Sequence, residues 1–276
     1  MQEKEAHEFV DYWHIQELGG LELLKASYQE TEFSKHTHEG YCIGLIDEGA
    51  QSFLRTGNQH IAPKGDIILV NADEVHTGSS AVDSGWCYRA IYPTPEMMAE
   101  ISTDFFKRTW SAPWFPQAVV HDEGLAIQLN LLFDLLIQPQ NTLFKESLFL
   151  STLAYLLSRH AKTKPTLQNL PEAQRKIQLI QDILANEPEK DHQLFDLAAI
   201  VGLSPWHLLR QFKKYTGLPP HAWLVQCRLH KSLKLLKTGQ DIALTAQLCG
   251  FSDQSHFNRH FKKALGCTPA QYMLNH

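Results

Sequence analysis

No apolar run in this 276-residue sequence approaches the roughly 18–20 residues that a membrane-spanning helix needs, which excludes a helical membrane protein. The opening stretch, MQEKEAHEFV, is acidic and polar. It has neither the apolar core of a secretory signal nor the arginine-rich amphipathic pattern of a transit peptide. Cysteine is scarce: Cys42, Cys87, Cys227, Cys249 and Cys267 are odd in number, scattered, and contain no CxxC pair. A disulfide framework is thereby excluded, and reduced thiols in a cytoplasm are expected, several of them filling cores. The apolar fraction of 43% and charged fraction of 20% are those of an ordinary globular chain, long enough for two domains with separate cores.

The net charge of −5 conceals an asymmetry. Residues 1–169 carry 12 lysines and arginines against 22 aspartates and glutamates, whereas residues 170–276 carry 13 against 8. The later part is therefore the one suited to a polyanion.

Between 20 and about 92, short β-branched or aromatic runs (GLELLKASY, YCIGLI, QSFLRT, DIILVN, WCYRAIYP) alternate with turn signals. Those signals are Glu48-Gly49, Thr56-Gly57-Asn58, Pro63-Lys64-Gly65-Asp66, Asn71-Ala72-Asp73 and Ser84-Gly85. Strands at this spacing predict a small antiparallel barrel or sandwich. The period then changes: 124–138 and 142–160 read as two helices separated by Pro139-Gln140-Asn141. Their apolar residues cover more than one stripe, which predicts burial against the barrel on one side and a second subunit on the other. Residues 161–171, with two prolines and few large apolar side chains, read as a linker.

Residues 172–276 read as all helix, with segments near 172–186, 193–201, 205–215, 220–237, 242–249, 253–264 and 269–274. Ser204-Pro205 and Thr268-Pro269 are N-cap and first-turn pairs, and Gly217 and Gly239 fall where left-handed C-caps belong. Within this part the chain repeats itself. LAAIVGLSPWHLLRQFKKYTGLPP (197–220) aligns with LTAQLCGFSDQSHFNRHFKKALGCTP (244–269), at an offset of 48 before the turn and 49 after it. Each copy is a short helix, a Gly-x-Ser turn and a longer helix, which is the grammar of a helix-turn-helix. The intervening helix of some 18 residues spans roughly 27 Å, a length suited to placing two reading helices in successive major grooves.

These residues resemble the DNA-binding domain of the AraC/XylS family of bacterial transcription regulators over about 175–272, and GFSDQSHFNRHFKKALGCTPAQY (250–272) is close to that family's signature. The resemblance places Trp206, Leu209 and Arg210 of the first reading helix against DNA, and Gln254, Ser255, Asn258 and Arg259 of the second. Leu209 departs from the polar side chain that relatives often carry there, which shifts the first unit towards methyl contact or phosphate grip. Side-chain chemistry agrees. Arg210 and Arg259 suit guanine O6/N7, and Asn258 or Gln254 suits adenine N6/N7. Lys213, Lys214, Lys262 and Lys263 suit phosphates, as do the helix N-termini at Ser204 and Ser252. An ordinary solvated face is the alternative for the lysines, and a core position the alternative for Trp206. His256 and His260, four apart, lack the third ligand and the adjacent glutamate of a zinc helix, so no metal is expected there and His256 faces DNA or solvent.

The barrel segment resembles the cupin-type effector-binding domain found upstream in the same family, through FSKHTHEGYCIGLIDEG (33–49) and APKGDIILVNADEVHTG (62–78). In enzymatic cupins the positions of His36, His38 and His76, with a glutamate a few residues on, hold iron, manganese or zinc. Here Glu39 directly follows His38, the next glutamate is Glu48, and residues 42 and 43 are Cys and Ile. No catalytic metal centre and no cofactor are therefore expected; metal sensing and hydrogen bonding of turns at the barrel rim remain alternatives for these histidines. A small polar effector is expected in the barrel, contacted by some of His38, Tyr41, His76, Trp86, Tyr88 and Arg89. Arg89 would suit a carboxylate or an amino acid, although strand alternation turns it away from Trp86 and Tyr88.

The expected architecture is α+β with two domains. A cupin-like antiparallel β-barrel with two dimerisation helices takes 1–160, followed by the linker 161–171. An all-α domain takes 172–276, with helix-turn-helix units at 193–215 and 242–264. The expected function is a cytoplasmic, homodimeric, sequence-specific regulator of transcription. Its partners are double-stranded DNA, a small effector and RNA polymerase; membrane and catalysis have no part. A metal-dependent cupin enzyme or metal sensor with a helical interaction domain is the alternative.

Overall fold

The computed structural model describes residues 8–106, 112–138, 142–163 and 171–274. The described residues fall into two compact units: the first takes those up to 163 except 34–37, and the second takes those four with 171–274. Strand pairing nevertheless makes 33–36 part of the first unit's sheet.

The first unit is an antiparallel barrel-like sheet. Its strands are β1 (Phe9–Ile15), β2 (Leu21–Tyr28), β3 (Phe33–His36), β4 (Cys42–Arg55), β5 (Asn58–Pro63), β6 (Ile67–Val70), β7 (His76–Ser80) and β8 (Trp86–Tyr92). Helix α1 (Pro95–Phe106), β9 (Pro113–Trp114), β10 (Val119–Val120), α2 (Glu123–Leu136), α3 (Thr142–His160) and β11 (Lys162–Thr163) follow. The strand order is β1-β2-β8-β4-β6-β10, with β5 and β7 paired to β4 and β3 paired to β7. Strands β1, β3, β5, β7, β9, β10 and β11 and helix α1 add to the elements expected from the sequence, β11 falling in the segment read as a linker.

The expected turn at Glu48-Gly49 is instead a bulge inside one long strand. Ile46 pairs with Tyr88 while Glu48 pairs with Cys87, and the ladder runs on through Gly49. Gly49 makes this feasible: its φ is +69°, and a Cβ there would lie 1.9 Å from the Gly85 carbonyl oxygen. The runs YCIGLI and QSFLRT are thus two halves of β4.

Alternation along the strands creates two cores. Leu21, Leu23, Ile43, Leu45, Ile67, Leu69 and Ile91 pack with Leu125, Leu129, Leu132 and Phe133 of α2 and Phe149, Leu153, Leu156 and Leu157 of α3. Leu24, Ala26, Tyr28, Cys42, Ile46, Ile68, Val70, Trp86 and Ala90 turn into the barrel, with Tyr88 and Tyr92 against them. The outer core holds α2 and α3 on the sheet; the inner one is the candidate ligand chamber. The break expected at 139–141 lies outside the described residues, as does most of the expected linker.

The second unit is helical: α4 (Glu172–Asn186), α5 (Leu194–Ile200), α6 (Pro205–Thr216), α7 (Pro220–Lys237), α8 (Ile242–Leu248), α9 (Gln254–Leu265) and α10 (Pro269–Leu274). The stripe Ile177, Ile180 and Leu184 on α4 is buried, as its spacing predicts. Ser204 caps α6 by accepting from the His207 amide, and Gly217 closes the helix at φ +79°. The second unit departs from the expected cap. Asp253, not Ser252, caps α9: its carboxylate accepts from the His256 amide at 2.7 Å, while Ser252 Oγ donates to Asp253 Oδ2 at 3.2 Å. The extra residue in the second copy moves the cap position forward by one, where an ionised carboxylate is the stronger acceptor.

Candidate nucleic-acid interface and ligand barrel

Each reading helix buries one stripe and offers another to solvent. Leu208 and Phe212 anchor α6, and Phe257, Phe261 and Ala264 anchor α9. On the opposite face of α6, Trp206 is 72% exposed, Arg210, Lys213 and Lys214 are exposed, and Leu209 is half-buried. On α9, Gln254, Ser255, Arg259, Lys262 and Lys263 are exposed and Asn258 is half-buried. Trp206 therefore lies outside the core. Among the described residues neither arginine and none of the four lysines is in an ion pair, so these six cations have no counterion among the described residues. Lys214 lies over the Tyr215 ring, 5.5 Å from its centroid.

Two details qualify the expected contacts. Asn258 Oδ1 is buried with no hydrogen-bond partner among the described residues, so pairing with an adenine edge requires the side chain to swing outward. The Asp253 carboxylate occupies the amides at the start of α9 and ionises more readily than usual, chiefly because the His256 amide donates to it. A phosphate at Ser252 would meet that negative charge, whereas the uncharged Ser204 cap leaves the start of α6 better suited to an anion.

His256 and His260 share one face, as their spacing implies, but they engage each other. Their Nε2 atoms are 2.9 Å apart, one ring donating and the other accepting, and His256 Nδ1 lies 3.1 Å from Ser252 Oγ. Both rings pack beside Phe251. Burial and then the His256 ring lower the His260 pKa.

In the barrel the structure gathers Trp86 and Tyr88 on the inner face of β8, together with Tyr92, which the same two-residue period would have identified. Tyr28 stacks near Trp86, with centroids 5.1 Å apart. Burial pushes the Tyr88 and Tyr92 phenols well above their ordinary range, and a side-chain hydrogen bond joins them. Trp86 Nε1 and Gln51 Oε1 are each buried with no partner among the described residues, two polar atoms that ask for a ligand or water.

The remaining effector candidates lie elsewhere. Tyr41 belongs to the outer core, packs edge-on against Phe115, and donates its hydroxyl to the Pro113 carbonyl. Arg89 points to the helix side of the sheet. Its guanidinium donates to Asp47 at 2.6 and 2.8 Å and to Asp134 at 2.8 Å, and lies over the Phe133 ring. With two carboxylates already on it, Arg89 fastens α2 to the barrel wall. The sequence reading missed Arg55, which is 1% exposed and bonds to Glu74 at 2.6 Å and to the Phe115 carbonyl. A lone arginine ending a strand gave no signal of its buried pairing.

His38 and His76 do meet, with ring centroids 5.0 Å apart, and His38 also lies edge-on to Tyr92. Burial, and secondarily the Arg55 charge, pull the His76 pKa down to about 4 against the opposing bond to the Glu74 carbonyl, so this ring is neutral at pH 7.

A barrel with unsatisfied polar atoms inside, followed by two helix-turn-helix units on one connecting helix, defines a regulator that binds an effector and DNA. Comparison with known proteins agrees. The AraC-like ligand binding domain family matches residues 18–157, and a helix-turn-helix domain family matches 197–275. The chain is 31% identical over 225 residues to the HTH-type transcriptional regulator YbfI of Bacillus subtilis strain 168, covering 82% of this chain and 81% of that protein. It is 27% identical over 250 residues to the HTH-type transcriptional activator RhaS of Pectobacterium carotovorum subsp. carotovorum strain PC1, covering 87% of each. Among solved structures, ToxT of Vibrio cholerae superposes with a TM-score of 0.57 at 14% identity, covering 92% of this chain and 98% of that one. ToxT bound to an unsaturated fatty acid gives 0.60 at 13% identity, covering 99% and 97%. The likeness to ToxT is one of fold.

The chain belongs to the AraC family. It is a DNA-binding transcription regulator whose first part is an effector-binding domain and whose second part carries the helix-turn-helix units.

Proposed function

We propose that a small polar molecule with acceptor oxygens enters the barrel, accepts a hydrogen bond from Trp86 Nε1–H and lies among Tyr28, Tyr88 and Tyr92, altering the affinity of the reading helices for DNA. The unpartnered indole N–H supports this, because a buried donor left unpaired costs free energy that a ligand recovers. The engagement of Arg89 by Asp47 and Asp134 removes the chief support for a carboxylate effector. Effector and DNA are linked only if the effector binds two states of the chain with different affinity.

The active unit is a homodimer through α2 and α3. Ile127, Leu131, Leu143, Phe144 and Leu150 are 49–69% exposed on these two helices, an apolar face suited to a second copy. The chain acts in the cytoplasm, where its DNA target lies, and without catalytic turnover, as its relatives are regulators. RNA polymerase is the remaining partner, since a regulator beside a promoter acts on the enzyme that starts there.

The observation that carries the DNA reading is the repetition of one exposed pattern, arginine followed by paired lysines, on both α6 and α9. Selection of bound fragments from sheared genomic DNA tests it: a shared sequence should emerge at physiological salt, and recovery without enrichment would refute specific recognition. Sedimentation of Leu131→Asp should show a monomer where the parent is a dimer.

A further inference from the structure

The barrel carries three imidazoles for which DNA reading and the effector chamber supply no joint role. His36 ends β3, His38 follows two residues later and His76 opens β7. A ring nitrogen from each lies within 4.8 Å of the other two, with His36 and His76 buried and His38 half-buried.

Orientation adds to proximity. His36 Nδ1 lies 2.7 Å from the Ser34 carbonyl oxygen, and His76 Nδ1 lies 2.9 Å from the Glu74 carbonyl oxygen. A carbonyl can only accept, so in both rings Nδ1 carries the proton and the lone pair resides on Nε2. Two rings from different strands are thus set in one tautomer by the same bond to the residue two positions earlier. Protein imidazoles that ligate metals are oriented in this way, the outer N–H donating to a backbone carbonyl while the inner nitrogen faces the ion. Turn stabilisation alone accounts for each bond but not for the convergence of three rings.

We propose that His36, His38 and His76 form a binding site for a divalent first-row transition ion of the zinc, cobalt or nickel kind. The donor set selects that class: three imidazoles suit borderline ions, and the hard, oxygen-seeking magnesium and calcium find no carboxylate in the group. Bonds of about 2.0–2.1 Å place tetrahedral ligand atoms roughly 3.3 Å apart, so nitrogens now within 4.8 Å of one another have to close in when an ion binds. Arg55 does not oppose the ion with a bare charge, because the Glu74 carboxylate neutralises it at 2.6 Å. Three protein ligands leave a coordination position for water or for an oxygen of the effector. The proposal rests on the barrel being the ligand-binding part, not on DNA reading.

The test uses the full chain, stripped with a chelator and titrated with Co2+, whose visible bands report coordination. One ion per chain is expected, displaced by Zn2+, with affinity at least about tenfold weaker in His38→Ala and in His76→Gln at unchanged far-UV circular dichroism. His60→Ala, a barrel histidine outside the cluster, should keep the bands. Absence of bands in the folded parent, or their loss in His260→Ala but not in His38→Ala, would overturn the assignment; the second result would put the ion on α9. Duplex binding by the same parent sample separates the outcomes: DNA bound without metal defeats this inference alone, and metal bound without DNA defeats only the regulator reading.

Discussion

Replacing Arg259 and Lys263 one at a time separates reading from gripping. Both side chains are exposed on α9 and neither is in an ion pair among the described residues, so truncation leaves the fold intact and removes only what DNA would meet. If Lys213, Lys214, Lys262 and Lys263 each neutralise one phosphate, log K falls with log salt at a slope of about −3.6 per DNA-binding domain. Raising salt from about 50 to 200 mM then costs about 150-fold in affinity; without Lys263 the slope is about −2.7 and the loss about 40-fold. Arg259→Ala acts differently. A bidentate contact to guanine is worth about 1–3 kcal/mol, or about 5- to 150-fold, and its loss relaxes preference at one base pair without lowering the slope by a full unit. Fluorescence anisotropy over a salt series, combined with selection from a randomised site, measures both quantities. Uniform weakening of all sequences by both variants would refute the division into readers and grips. A slope change from Arg259→Ala with no change in base preference would refute it equally.

Three further expectations concern the scaffold. Asp122 caps α2 and accepts from His160 at 2.9 Å and Arg159 at 2.7 Å. Burial raises its pKa, but the bonds from His160, the Leu125 amide and Arg159 outweigh that and hold it at about 2 instead of 3.8. The resulting stabilisation, about 2 kcal/mol, is complete above about pH 4 and disappears as pH falls towards 2. Urea unfolding of Asp122→Asn should therefore differ from the parent at pH 7 and converge with it in acid; a constant gap would refute the linkage. Arg89→Ala should lower stability by about 1–3 kcal/mol in the same assay, chiefly through the largely buried Asp47 carboxylate left behind, while Trp86→Phe, which removes an N–H without a partner among the described residues but leaves a gap beside Tyr28, should change it by less than about 2 kcal/mol. Gly202→Ala should cost about 1–2 kcal/mol for its left-handed backbone alone. Gly250→Ala should cost more, because the new Cβ would stand 2.6 Å from the Glu189 carbonyl oxygen, and equal melting shifts for the two would disprove the close approach.

The helical unit was legible from the chain because helices are specified locally. Periodicity, the Ser204-Pro205 start and the Gly217 stop each act within one turn, and the duplication from 197 to 269 exposed the two reading helices and their solvent faces. Only the second cap escaped, since Ser252 and Asp253 are equally plausible until the inserted residue is placed. The barrel was legible as a class, and its inner face followed from alternation at Trp86 and Tyr88. Pairing in space decided the rest: Gly49 became a bulge because the Gly85 carbonyl lies against it, Arg89 found Asp47 and Asp134, and Tyr41 entered the outer core. His36, His38 and His76 were visible as letters, but their convergence depends on β3 lying beside β7. A helix carries its reasons within four residues of itself, whereas a strand's partners stand tens of residues away, so the sequence alone determined the DNA-reading module and tertiary structure decided which barrel side chains meet.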